Sequence, residues 1–135
     1  VYLIDKSALA RRAKPAVRTV LDPLVNRRLI AVCGAVEMEV LYSARNAAES
    51  DRLRDFLYGF AYQPAPDEVW DRAKQVQAAA VRKGNHRALS MADLLIAATA
   101  ERHGVSVLHY DEGYEQIAAI SGQPHRWVVP PGTAD

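Results

Sequence analysis

Residues 90–111 read SMADLLIAATAERHGVSVLHYD. Ser90 opens a segment that is apolar nearly all round from Met91 to Ala100, as befits a helix buried on every side. His103-Gly104 ends it. Val105 to His109 then runs apolar over the length of a strand, and Asp111 follows at once. A buried helix leading straight into a buried strand is half of a βαβ unit, and the same alternation continues in both directions.

Toward the N-terminus, Asp67 to Lys83 is the longest amphipathic stretch, ended by Gly84-Asn85. Ala61 to Gln63 is a short third strand closed by Pro64 and Pro66, and Ala48 to Phe60 is a helix before it. Leu29 to Cys33 is a second strand, followed by a helical spacing through Val36, Val40, Leu41 and Ala44. A helix opens at Pro15 and runs to Arg28, with Pro23 placed to kink or divide it. Val1 to Ile4 is the first strand, and Lys6 to Ala13 a helical turn or two. Toward the C-terminus, Glu112 to Ile120 is a short helix and Trp127 to Val129 a fifth strand. The tail from about residue 130 is expected to be mobile. Five strands alternating with helices predict an α/β fold with a mainly parallel sheet, in which ligands gather outside the carboxyl ends of the strands.

Length and composition bound the rest. At 135 residues, 50% hydrophobic and 24% charged, the chain is expected to form one domain, residues 1–135, with a core that needs no disulfide or structural zinc. No apolar run reaches the length of a membrane span, and no signal-peptide pattern is present. The chain opens on Val1 rather than Met, which points to a residue or two missing ahead of it. The single Cys33 fits a reducing, cytoplasmic compartment, with secretion left open. A net charge of +1 means that any nucleic acid must be held by local basic patches, and Arg11, Lys14, Arg82 and Arg87 belong to such patches. The four His show no zinc spacing, and no nucleophile elbow, Walker loop or dinucleotide fingerprint appears.

Four acids stand where buried segments meet loops or helix starts: Asp5, Glu39, Asp93 and Asp111. Singly, three of them have a structural reading. Asp5 and Asp111 can cap the helices that follow, and Ser90-Met-Ala-Asp93 resembles a capping box. Glu39 lies mid-helix at the border of the apolar stripe. Glu37 and Glu39 project about 200° apart, so only one of them can face a pocket. Jointly, the topology puts Asp5 and Asp111 on one edge of the sheet, provided strand four runs parallel to strand one. Clustered carboxylates repel unless a cation lies among them. An all-oxygen set without Cys or His suits Mg²⁺, with Mn²⁺ as a substitute.

The segments Leu3-Ile-Asp5-Lys-Ser7-Ala, Met38-Glu39-Val-Leu-Tyr-Ser-Ala, Met91-Ala-Asp93-Leu-Leu-Ile-Ala-Ala-Thr-Ala and Val107-Leu-His-Tyr-Asp111-Glu-Gly-Tyr resemble, in order, four motifs of the PIN-domain ribonucleases. Together they resemble the VapC toxins of type II toxin–antitoxin systems, of the mycobacterial type. The chain departs from that pattern at Lys6, where Thr is frequent, and in the strand-four motif, where His109, Gly113 and Tyr114 stand in the places often taken by Thr, a further acid and Phe.

The resemblance implies a PIN-like three-layer fold with strand order 3-2-1-4-5. It implies a Mg²⁺- or Mn²⁺-dependent endoribonuclease acting on structured RNA, such as a transfer RNA or a ribosomal RNA loop, and so inhibiting translation. Asp5, Glu39, Asp93 and Asp111 would be the catalytic and metal-binding residues, with Ser7 in support. Arg11, Lys14, Arg82 and Arg87 would contact RNA or antitoxin. The implied partners are a VapB-type antitoxin, in a hetero-oligomer, and a second copy of the chain in a homodimer. A PIN-shaped binding module with little catalysis is the alternative, and Lys6 and Gly113 are what favour it.

Overall fold

The computed structural model describes residues 1–135. In chain order it contains β1 (Tyr2–Ile4), α1 (Lys6–Leu9), α2 (Pro15–Asn26), β2 (Ile30–Val32), α3 (Gly34–Tyr42), α4 (Ala47–Leu57), β3 (Ala61–Tyr62), α5 (Asp67–Lys83), α6 (Met91–His103), β4 (Ser106–His109), α7 (Gly113–Ser121) and β5 (His125–Trp127). A single 3₁₀ turn, His86–Ala88, joins α5 to α6. The strands form one sheet in the order β3-β2-β1-β4-β5, and every neighbouring pair is parallel.

The central strands read as apolar runs because both faces of a parallel sheet are covered by helices. Leu3 and Ile4 of β1, Ala31 of β2, and Val107 and Leu108 of β4 are all fully buried. β1 lies between β2 and β4, with Leu3 paired to Ala31 on one side and to Val107 on the other. The parallel pairing of β1 with β4 brings the residues that follow both strands to one edge. The Asp5 N–H donates to the Leu108 carbonyl at 2.8 Å.

Helix α6 is buried at Leu94, Ile96, Ala97, Ala98, Thr99 and Ala100, in accord with its apolar circumference. Gly104, in the left-handed conformation at φ 68°, stops it. α5 lies alongside, and the exposed pairs Arg72–Glu101 (2.9 Å) and Arg102–Glu68 (3.0 Å) join the two helices. No helix is long and apolar enough to cross a membrane.

Two local expectations are corrected. Pro23 does not divide α2, which is continuous from Pro15 to Asn26. The bond that Pro23 cannot donate would go to Thr19, an exposed residue whose carbonyl water can satisfy. The fifth strand is His125–Trp127, two residues earlier than the apolar run Trp127 to Val129 indicates. As an edge strand it carries polar residues, while Val128 and Val129 drop into the core behind it.

α2 closes with Arg28 at φ 56°. The Arg28 N–H donates to the Val25 carbonyl and the Leu29 N–H to the Leu24 carbonyl. This is a Schellman closure with a side chain in the place usually taken by glycine. The tail beyond residue 130 carries contacts of its own. Arg11 Nε donates to the Ala134 carbonyl at 2.9 Å, and the Ala134 N–H donates to the Tyr110 hydroxyl at 3.0 Å.

Candidate active site

Asp5 leaves the end of β1 and caps α1, and only 3% of it is exposed. Its Oδ2 accepts the Ser7 N–H at 3.0 Å, the capping bond that the sequence indicates. Its Oδ1 accepts the Tyr114 hydroxyl at 2.7 Å. Ser7 ties the two central strands together above the sheet, because its Oγ accepts the Tyr110 N–H at 2.8 Å.

Asp93 sits in the first turn of α6, where its N–H donates to Ser90 Oγ at 3.0 Å. The capping turn both starts the helix and aims the Asp93 carboxylate into the interior, where it is 6% exposed. Glu39 comes from the middle of α3 and is half-buried. Carboxylate oxygens of Asp5, Glu39 and Asp93 all lie within 4.8 Å of one another. Glu37, two positions from Glu39, is not in that group, as the helical geometry requires.

Asp111 follows β4 and lines the same cavity, of about 380 Å³, but stands outside the close trio. Its Oδ1 accepts the Gly113 N–H at 2.9 Å, and its own N–H donates to His109 Nδ1 at 3.0 Å. A Cβ on Gly113 would lie 3.1 Å from Asp93 Oδ2 and 3.2 Å from Asp111 Oδ1. α7 therefore starts against the acids, at a distance only glycine allows without displacing a carboxylate.

Two cations, Lys6 and Arg11, line the cavity. The salt bridges of the molecule lie elsewhere, so neither neutralises the acids at contact distance. Arg11 is held by other groups. Its Nη1 donates to the Ser7 carbonyl at 2.8 Å, and its guanidinium lies 4.4 Å from the centre of the Tyr110 ring. Lys14, Arg82 and Arg87 are exposed and do not line the cavity.

Burial and mutual repulsion disturb the acids. Desolvation, then the charges of Asp5 and Asp111, push Asp93 up to about 8. Burial and the Asp5 charge raise Glu39 above the usual carboxylate range, against a smaller opposing effect of Lys6. Burial, then Asp5 and Asp93, hold the Tyr114 hydroxyl in its neutral form, far above the usual phenol range. A close all-oxygen trio with uncompensated negative charge fits a hard divalent cation and no softer metal. Asp5, Glu39 and Asp93 are the residues that could hold it.

The structure thus brings together Asp5, Glu39, Asp93, Asp111 and Ser7, and adds Arg11 and Lys6 at the rim. Sequence reasoning does not identify Tyr114 as part of the site. Its signal is positional: Tyr114 stands three residues after Asp111, one helical turn on, where a helix starting at the acids turns its interior face toward them.

Three comparisons bear on this site. Residues 1–120 match the family model described as the PIN domain. The chain is 49% identical over 137 residues to Ribonuclease VapC21 of Mycobacterium tuberculosis, covering 98% of this chain and 97% of that protein. It is 44% identical over 135 residues to Ribonuclease VapC18 of the same organism, covering 98% of each. In fold it is similar to VapBC2 from Rickettsia felis, solved bound to a DNA fragment from its promoter. There the TM-score is 0.75 at 16% identity, over 93% of this chain and 98% of that one.

Proposed function

Since the chain belongs to the PIN-domain family, among relatives that are VapC ribonucleases, we propose that it is the toxin of a type II toxin–antitoxin pair, an endoribonuclease that uses a divalent metal. The observation that carries this reading is the trio of carboxylates from three separate elements within 4.8 Å of one another. Structured RNA, a transfer RNA or a ribosomal RNA loop, is the substrate, and loss of translation the effect. Such a substrate and the lone buried Cys33 go with a cytoplasmic protein.

Asp5, Glu39 and Asp93 would hold Mg²⁺, with Mn²⁺ as a substitute. Bound there, the cation lowers the pKa of its water and offsets charge on the scissile phosphate. The chain supplies the rest. Glu39, half-buried and raised by its surroundings, is suited to accept a proton from the attacking water. Asp111, outside the trio but in the same cavity, orients water at its edge. The Ser7 N–H and hydroxyl fix the ends of β1 and β4 so that Asp5 and Asp111 keep their separation. Arg11, already immobilised, is placed to take a phosphate of the RNA backbone beside the cleavage point. Lys14, Arg82 and Arg87, exposed and outside the cavity, are placed to act only further along the bound strand.

Water as nucleophile leaves 5′-phosphate and 3′-hydroxyl ends. Mapping RNA ends after brief expression, with Asp5→Asn as control, tests the reading. The expected result is defined cleavage with these ends, lost in the variant by about a thousandfold, the scale of several kcal/mol of transition-state stabilisation. A 2′,3′-cyclic phosphate would overturn the mechanism. Toxicity that survives Asp5→Asn would favour a non-catalytic binding module. The partners are a VapB-type antitoxin, in a hetero-oligomer, and a second copy in a homodimer. An antitoxin arginine entering the cavity would meet carboxylates that no cation of this chain neutralises at contact distance.

A further inference from the structure

We propose that Tyr114 is a positioning residue of the acid cluster, whose hydroxyl fixes the Asp5 carboxylate in the orientation that receives the divalent cation. The inference rests on the metal-dependent reading above. Tyr114 is fully buried, 1% exposed, and it is the largest fully buried side chain of the molecule. Its ring packs against His109, centroids 4.8 Å apart, while its hydroxyl enters the cluster from below. A phenylalanine would fill the same space. The hydroxyl is therefore unneeded for packing, and it carries a desolvation cost unless bonded.

Its bonding is specific. The hydroxyl has one proton, and that proton goes to Asp5 Oδ1 at 2.7 Å, with Asp93 Oδ1 more distant at 3.4 Å. The Ser7 N–H occupies one direction on Asp5 Oδ2 at 3.0 Å. Asp5 is thus held at each oxygen by a separate donor, which restricts rotation of the carboxylate. Each oxygen keeps a second lone-pair direction for a cation. No other protein donor reaches Asp5 Oδ1, so the grip fails if the hydroxyl is removed.

Gly113 explains why the donor comes from position 114. A Cβ at 113 would lie 3.1 and 3.2 Å from Asp93 Oδ2 and Asp111 Oδ1, close enough that these carboxylates would have to shift. With glycine there, the start of α7 brings no side chain of its own to the acids from the cavity side. The next residue turns inward and delivers a neutral donor from the core, adding no further negative charge to a crowded site.

Calorimetric titration of Mn²⁺ into wild type, Tyr114→Phe and Asp5→Asn tests this. Wild type is expected to bind and Asp5→Asn to lose binding. Tyr114→Phe is expected to bind about tenfold or more weakly, the range for removal of a partner that orients a metal ligand, with its metal-free melting temperature near that of wild type. Equal affinity in wild type and Tyr114→Phe overturns the positioning role and leaves the metal reading intact. Absence of binding by wild type overturns both. An independent measurement needs no variant. The Tyr114 hydroxyl proton should resist exchange and give an NMR resonance that moves during Mg²⁺ titration with the midpoint of binding. A resonance that stays fixed while the cation binds overturns the inference.

Discussion

Nε2 of His109 lies 2.8 Å from Nδ1 of His125, and the pair forms a chain of hydrogen bonds that ends at the backbone of Asp111. The Asp111 N–H donates to His109 Nδ1, so the neutral ring carries its proton on Nε2 and gives it to His125. His109 is fully buried, and burial, followed by the charge of His125, lowers it from 6.5 to about 4. Below pH 6.5 the unfolded chain takes a proton that the folded chain refuses. Stability should therefore fall as pH drops from 6.5 toward about 4. His109→Gln should flatten the upper part of this decline in urea unfolding curves, and an unchanged slope would count against the assignment.

Asp93 has the opposite sign. Its folded-state value is raised from 3.8 to about 8, so over that window the folded chain holds a proton that the unfolded chain has lost. The metal-free protein should lose stability as pH rises between these values. Mn²⁺ should restore it, increasingly so at higher pH, because occupation of the site releases the proton. Asp93→Asn should flatten the metal-free profile and remove the response to Mn²⁺. Melting curves with chelator and with Mn²⁺ across this range decide it.

Arg11→Ala should weaken RNA binding about tenfold, the worth of one hydrogen-bonded charge contact, and lower the salt slope of binding by about one. Arg11→Lys keeps the charge but loses the hold of the Ser7 and Ala134 carbonyls, so it should recover little. Filter binding to a non-cleavable RNA in Asp5→Asn background gives the measurement. Lys14→Ala, at an exposed position outside the cavity, should show the smaller effect.

Arg28→Gly should raise stability by about 0.5–1 kcal/mol. The left-handed conformation at φ 56° costs a side chain more than the entropy that glycine adds to the unfolded state. Arg28 is exposed, so no packing is lost. The denaturant midpoint should rise with its slope unchanged.

Much of this architecture is legible in the sequence because parallel sheets impose a strong pattern. Residues 90–111 read as a buried helix and a strand, and α6 and β4 take those places, with the helix buried through Ile96 to Ala100 and exposed at Met91. Asp67 to Lys83 matches α5 end to end, because a long amphipathic helix closed by Gly84 at φ 79° carries both its period and its stop signal. β5 is misplaced by two residues because an edge strand is identified by its partners, not by hydrophobicity. Asp5 and Asp111 are legible from strand ends, Asp93 from the capping turn at Ser90, and Glu39 from its place beside the apolar stripe. Tyr114 is not, because a tyrosine in a first helical turn looks like any core aromatic until its hydroxyl is found on Asp5. That Arg11 lines the cavity while Lys14, Arg82 and Arg87 do not is also invisible in the sequence, since placement depends on the packed surface.

The order β3-β2-β1-β4-β5 has a consequence for when the acid cluster comes into being during synthesis. The acids are contributed by residues 5, 39, 93 and 111, and the Tyr114 grip by a residue later still, so the nascent chain must be nearly complete before the cluster exists. Closing β1 against β4 joins segments about a hundred residues apart, a slow class of contact. A copy that stops before Asp93 holds at most two acids of the trio, and one that stops before β4 lacks the strand that pairs with β1. Under the proposed toxin reading, activity is thereby tied to completion of the fold, which leaves an interval after synthesis begins in which an antitoxin can reach the chain before its site exists.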